Sequence, residues 1–154
     1  MVSMWIYPTE EHSWRCALYV KYETGFFGMI PIAWEGHSSF RIRDSKEVSG
    51  WYDISGCKLQ VNEWSHYVVS YNAKTETAYA YINGQLVGSM KNVPGNRYAK
   101  RIVLGGDVFQ PSFIGKICEV TFYNEIRDHD FVSELHQSYV TRDDFIGFEI
   151  GIDK

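Results

Sequence analysis

A chain of 154 residues with 45% hydrophobic content is long enough for one domain with a sizeable core and too apolar to be a disordered segment. Its net charge of −4 argues against a nucleic-acid or anionic-membrane surface, and no apolar run approaches the roughly 18 residues that cross a bilayer. Aromatic residues reach 16%, which suits pleated strands and also suits sugar recognition, where a ring face meets the C–H face of a sugar.

Taken in chain order, short β-type runs are punctuated by Gly, Asn, Asp and Ser. Val2–Tyr7 is stopped by Pro8. Ala17–Tyr22 closes at Thr24-Gly25, and Phe26–Trp34 is interrupted by Pro31. Phe40–Arg43 places Phe40 and Ile42 on one face and Arg41 and Arg43 on the other, and Gly50–Ile54 follows a polar turn. Trp64–Tyr71 and Thr77–Ile82 flank a polar hairpin loop. Asn83-Gly84 is a strong turn signal, because both residue types tolerate positive φ, and it sends Gln85–Ser89 back antiparallel. Arg101–Leu104 and Ile114–Tyr123 complete the strands. Asp128–Tyr139 has a capping Asp and apolar residues four apart, which predicts one short helix, and Phe145–Ile152 alternates again as a last strand. About ten strands with one helix and no βαβ rhythm predict an all-β, two-sheet antiparallel sandwich.

Cys16, Cys57 and Cys118 have no C-x-x-C spacing, so zinc is not expected. Each lies in or beside an apolar stretch and reads first as a small buried hydrophobe, with a Cys16–Cys57 bridge left open. The histidines His12, His37, His129 and His136 are scattered without metal-ligand spacing. Tyr79 and Tyr81 share a face and either line a groove or pack on neighbours. The opening residues MVSMWIYPTEEHS alternate like a strand and do not read as a secretory leader. The chain is then expected to be a segment of a longer exported protein, or to reach the outside another way, for instance on a virus particle.

The stretch Trp64–Tyr139 carries an ordered set of pieces: EWSHYVVSYN, AYAYINGQLVGS, RIVLGG and FIGKICEVTFYNEIRDHDFVSELHQSY. With the opening VSMWIYP, it resembles the laminin-G-like jelly rolls of the concanavalin A-like lectin/glucanase superfamily. The resemblance implies a single jelly-roll domain over residues 1–154 that lacks the usual first strand. That gap would be filled by Phe145–Ile152 or by a neighbouring chain, since an open edge invites pairing. It also makes His66 a core imidazole with a hydrogen-bond partner. The family's structural calcium ligand, an Asp before Glu-Val, is Cys118 here. A thiol suits a hard cation poorly, so no cofactor is expected and that calcium site is read as lost. Asp107 and Asp53, in turns, are the remaining candidates for another cation site.

Glycoside hydrolases of the same fold carry Glu-x-Asp-x-x-Glu on one strand, setting two carboxylates about 5 Å apart. Nothing here matches. The nearest spacing, Glu149 with Asp153, lacks the third acid, and neither a G-x-S-x-G turn nor a phosphate loop is present. The expectation is therefore a non-catalytic recognition module, binding carbohydrate in an extracellular, cell-surface or phage setting. The rival is a virion or assembly subunit, homo-oligomeric or within a larger assembly, that uses the sandwich for protein contacts. A sugar site needs rings beside planar hydrogen-bonding groups. Trp51, Tyr52 and Asp53 are the leading cluster, with Trp34 and Arg43 (near Trp14, Arg15, His37 and Arg41) and the loop pair Arg97 and Tyr98 as further candidates.

Overall fold

The computed structural model describes residues 1–44, 50–94 and 98–142. Ten strands form: β1 (Val2–Pro8), β2 (Leu18–Lys21), β3 (Gly25–Ile30), β4 (His37–Asp44), β5 (Trp51–Lys58), β6 (Ser65–Asn72), β7 (Thr77–Ile82), β8 (Gln85–Met90), β9 (Arg101–Leu104) and β10 (Gly115–Phe122). One helix, α1 (His129–Val140), follows them. The strands build two five-stranded sheets with the orders β10-β1-β6-β7-β8 and β5-β4-β3-β2-β9, and every pairing is antiparallel. This is the expected jelly-roll sandwich.

Period-two alternation decides what lies between the sheets. Met4, Ile6, Leu18, Met29, Phe40 and Tyr67 are each at most 2% exposed and share one core. Burying such a side chain stabilises the fold by about 1.5–3 kcal/mol. The outer face of the first sheet is covered by α1: Val132 packs on Val68 and Tyr81, and His129 stacks on Tyr81 at 5.8 Å. Tyr81 is thus a packing residue rather than a groove wall. Asp128 caps the helix by accepting a bond from the Phe131 N–H at 3.0 Å. His66 is fully buried, and its Nε2 sits 2.8 Å from Ser3 Oγ. Asn83 (φ 51°) and Gly84 (φ 76°) make the expected tight turn, and the Asn83 side chain also accepts from the His66 N–H at 2.8 Å.

Two expectations change, and one open alternative closes. Strand β3 ends at Ile30 because Pro31 breaks the ladder, so Trp34 opens a short 3-10 turn (Trp34–Gly36) instead of ending a strand. Cys57 is exposed: β5 runs on to Lys58, and the parity that turns Ile54 inward turns residue 57 outward. Cys16 is buried, and all three thiols are free, so no Cys16–Cys57 bridge forms. The expected strand Phe145–Ile152 lies outside the described residues.

On one side the sandwich is closed, where β5 meets β8. On the other, β9 and β10 are the sheet edges among the described residues. Their core-side residues Ile102, Leu104 and Phe122 stand 48%, 51% and 51% exposed, and Ile102 and Phe122 line an apolar cleft of about 450 Å³. Among the described residues no helix is long and apolar enough to cross a membrane.

Candidate functional site

The outer face of the second sheet carries no helix among the described residues, and its side chains fall into rows set by register. One row runs Arg101, Lys21, Phe26, Arg43, Trp51 from β9 to β5. The next runs Val103, Tyr19, Gly28, Arg41, Asp53. Alternation thus places Trp51 and Asp53 outward with Arg41 and Arg43, while Tyr52 turns the other way and packs against the core. Within the expected Trp51-Tyr52-Asp53 cluster, the middle residue is removed by strand geometry.

Arg41 organises the face. Its Nε and one terminal nitrogen donate to the two Asp53 oxygens at 2.6 and 2.8 Å, a two-point ion pair with side chains only 17% and 23% exposed. The guanidinium carbon also lies 4.7, 4.8 and 4.9 Å from the ring centroids of Trp14, Trp34 and Trp51, within cation–π range of all three. Two of the five guanidinium N–H donors point at Asp53, which leaves three that are not used by that ion pair. Arg43 lies 4.9 Å from the Trp51 ring and donates to the Asp44 carbonyl. Trp34 and Trp51 remain 54% and 49% exposed.

The segments that bring in the rings are strained. Trp14 has φ 69° and Glu35, next to Trp34, has φ 52°. A bulky aromatic in the left-handed region is a true outlier, and such strain persists only where the surroundings fix it. Here the Trp14 N–H donates to the Ile32 carbonyl at 2.8 Å, and Trp14 meets Trp34 edge-on at 4.5 Å.

Toward β9 the face continues through Phe26, which touches Trp51 at 6.0 Å, Tyr19 at 5.4 Å and Phe109 at 5.5 Å. Cys16 lies against Gly28, where an added Cβ would sit 3.2 Å from its sulfur. Burial, and then a hydrogen bond to Asp107, push its thiol pKa well up, so it is an inert floor rather than a nucleophile.

Of the sequence-predicted residues, Trp34, Arg43, Trp51 and Asp53 are brought together. Tyr98 stands 84% exposed on the segment before β9, at the edge of the sheet opposite β5, and Arg97 lies outside the described residues. Arg41 and Trp14, seen in the sequence only as neighbours of the cluster, turn out to be central. Phe26, Tyr19 and Phe109 were not singled out; the period-two parity of β2 and β3 could have found the first two, whereas Phe109 sits on a loop that carries no such signal. Asp53 and Asp107, the alternative cation candidates, are both engaged: Asp53 with Arg41, and Asp107 through one oxygen with the N–H groups of Phe109 and Gln110 at 2.6 and 2.8 Å. Among the described residues no three of His, Cys, Asp and Glu gather as a metal site.

The sequence pattern of the family Laminin_G_3, described as the concanavalin A-like lectin/glucanases superfamily, matches residues 2–133. The chain belongs to this family. A search of the curated proteins returned no match. Among solved structures, the concanavalin A-like chain superposes on domain 4 of AbnA, a GH43 extracellular arabinanase from Geobacillus stearothermophilus, in complex with arabinotriose. The TM-score is 0.75 at 24% identity, covering 88% of this chain and 65% of that one. It is also similar to the CBM40 of the Ruminococcus gnavus IT-sialidase bound to alpha2,3 sialyllactose, with a TM-score of 0.71, 14% identity, and 88% and 80% of the two chains covered. A third likeness is to the binding domain of botulinum neurotoxin serotype D, with a TM-score of 0.74, 15% identity, and 92% and 36% covered. The chain therefore spans just under two thirds of the arabinanase domain and about a third of the toxin domain. At these identities the likeness is one of fold.

Proposed function

We propose that this chain is a non-catalytic carbohydrate-binding module that holds a glycan on the outer face of β5-β4-β3-β2-β9. Trp34 and Trp51 serve as stacking platforms, while Arg41, Arg43 and Asp53 supply hydrogen bonds. The observation that carries this reading is the Arg41 guanidinium, fixed by Asp53 among three indoles, two of them half-exposed. A preorganised polar head beside exposed rings is what a sugar, apolar on its C–H face and polar on its rim, requires. The two-point ion pair that ties up Asp53 supports a binding role for its carboxylate over an acid–base one. Two structures of similar fold are described as complexes with arabinotriose and sialyllactose, which supports the ligand class. Such a module would work outside the cell, on a cell surface or a phage particle.

A glycan array tests this, with Trp51→Ala and Trp34→Ala as controls. Binding by the parent chain that drops at least tenfold in both variants supports it. Silence of the parent on the array overturns it.

The half-exposed, core-side Ile102, Leu104 and Phe122 favour a second reading, an assembly subunit whose open edges are completed by a partner strand. A silent array together with a stable oligomer in light scattering selects that reading.

A further inference from the structure

The outer face of the second sheet holds an unmet polar group that the platform around Arg41 does not use. Tyr19 is 1% exposed, and among the described residues its hydroxyl is buried without a hydrogen-bond partner. A buried hydroxyl left in that state destabilises the free protein, and a ligand hydroxyl that reached it would relieve that cost. The ring lies on the outer face, beside Phe26 at 5.4 Å and under Phe109 at 6.2 Å, which meets it edge-on at 80°. Phe109 itself is 64% exposed and extends the ring row of Phe26 and Trp51 at the surface.

The loop that carries Phe109 is pinned at both ends and held from within. The Gly105 N–H donates to the Ala17 carbonyl at 2.8 Å, and the Phe113 N–H to the Gly105 carbonyl at 2.9 Å. Arg15 donates to the Ser112 carbonyl at 2.9 Å. At the tip, Asp107 accepts from the N–H groups of Phe109 and Gln110. The backbone is thus fixed while the exposed Phe109 ring meets the Tyr19 ring edge-on. From there the rings run on without a break: Phe109 to Phe26, Phe26 to Trp51, and through Arg41 to Trp14 and Trp34. Three interstrand steps from Tyr19 on β2 to Trp51 on β5 span about 14 Å.

We propose that Tyr19 and Phe109 form a second subsite, in which Phe109 turns aside, stacks on a sugar ring and lets a ligand hydroxyl bond to Tyr19 Oη. The face then takes a linear oligosaccharide lying across the strands, not a single terminal sugar. This rests on the carbohydrate reading above and adds the length and direction of the ligand to it. The free protein keeps the hydroxyl buried without a partner, so stability in the empty state and grip in the loaded state are in tension.

The probes are arabino-, xylo- and cello-oligosaccharides from disaccharide to hexasaccharide, titrated against the parent chain, Tyr19→Phe and Phe109→Ala. The expected result is an affinity that climbs with chain length in one series. Tyr19→Phe should then cost the tetrasaccharide about tenfold more than the disaccharide, the order of one hydrogen bond. The free Tyr19→Phe protein should also melt at a higher temperature than the parent, because the unpaired hydroxyl is gone. A tetrasaccharide bound equally by parent and Tyr19→Phe, or a lower melting temperature for that variant, overturns the second subsite while leaving the Trp platform standing. No binding by the parent to any series or on the array overturns the carbohydrate reading itself.

Discussion

Truncating Arg41 removes the group that touches all three indoles of the platform and leaves the Asp53 carboxylate, 23% exposed, without its two-point partner. Arg41→Ala is expected to cost roughly 2 kcal/mol, between the small value of an exposed pair and the larger penalty of stranding a buried charge. Arg41→Lys keeps the charge but not the planar fork, so it should recover part of the stability and little of the ring order. Three of the five tryptophans sit in this cluster, so the check is a thermal melt read alongside tryptophan emission, which should shift to the red in Arg41→Ala. Unchanged emission would mean that the rings hold one another without the guanidinium.

On the opposite sheet, His66 makes a different prediction. Its ring stacks against Trp5 at 5.0 Å and against His136 at 5.6 Å, and those two rings meet each other at 5.4 Å. Burial, and then repulsion from His136, lower its pKa from 6.5 to about 3, and burial lowers His136 as well. A base with a depressed folded pKa is neutral in the native state and binds its proton only on unfolding. The unfolded chain therefore gains protons first as pH falls. The stabilisation is full above about pH 6.5 and is lost progressively between there and about pH 3, amounting to about 2 kcal/mol by pH 5. Urea midpoints across this range measure it. His66→Gln should flatten the slope over the same window even though it lowers stability overall.

At the scale of elements, α1 and the platform are separated by the whole sandwich, one on each outer face. A weakened helix should therefore reduce stability without touching the site. Asp128→Ala removes the cap on the Phe131 N–H and is expected to cost about 1 kcal/mol, seen as a lower melting temperature with glycan binding unchanged well below it. The same separation explains what could be read from the chain itself. The strands and the helix were legible because alternation and four-residue spacing are local. The turn at Asn83-Gly84 was legible because its residues must take positive φ. Which cluster members meet was less so: Tyr52 is adjacent to Asp53 in sequence yet faces the core, and the register that lines Arg41 up with Asp53 depends on strand pairing. His136 stacks on His66 from a helix 70 residues away in sequence, and Phe109 closes over Tyr19 from a loop, so neither meeting leaves a periodic trace.

For the whole molecule, the decisive asymmetry is that, among the described residues, one side of the sandwich is closed and the other open. Sheet edges offer unpaired backbone groups, and here they are bordered by half-exposed Ile102, Leu104 and Phe122 with an apolar cleft behind them. Edges of this kind are usually blunted by charge, and an inward-pointing Lys is one such device. If the open side drives contact between copies, the parent chain should bind a hydrophobic dye while folded and self-associate reversibly as concentration rises. Leu104→Lys sets a charge on the core side of β9. Because Leu104 is already half exposed, the lost burial is only about 1 kcal/mol, so the variant should stay folded while dye binding and association fall. Sedimentation equilibrium over a concentration series reads the association, and a folded-state melt confirms that the variant has not simply unfolded. A parent chain that stays monomeric and binds no dye would mean that these edges are covered, and the assembly reading would lose its one structural support. The platform around Arg41 faces away from this side, so glycan binding should be the same in Leu104→Lys as in the parent. That independence lets the two proposed uses of the sandwich be tested in one protein.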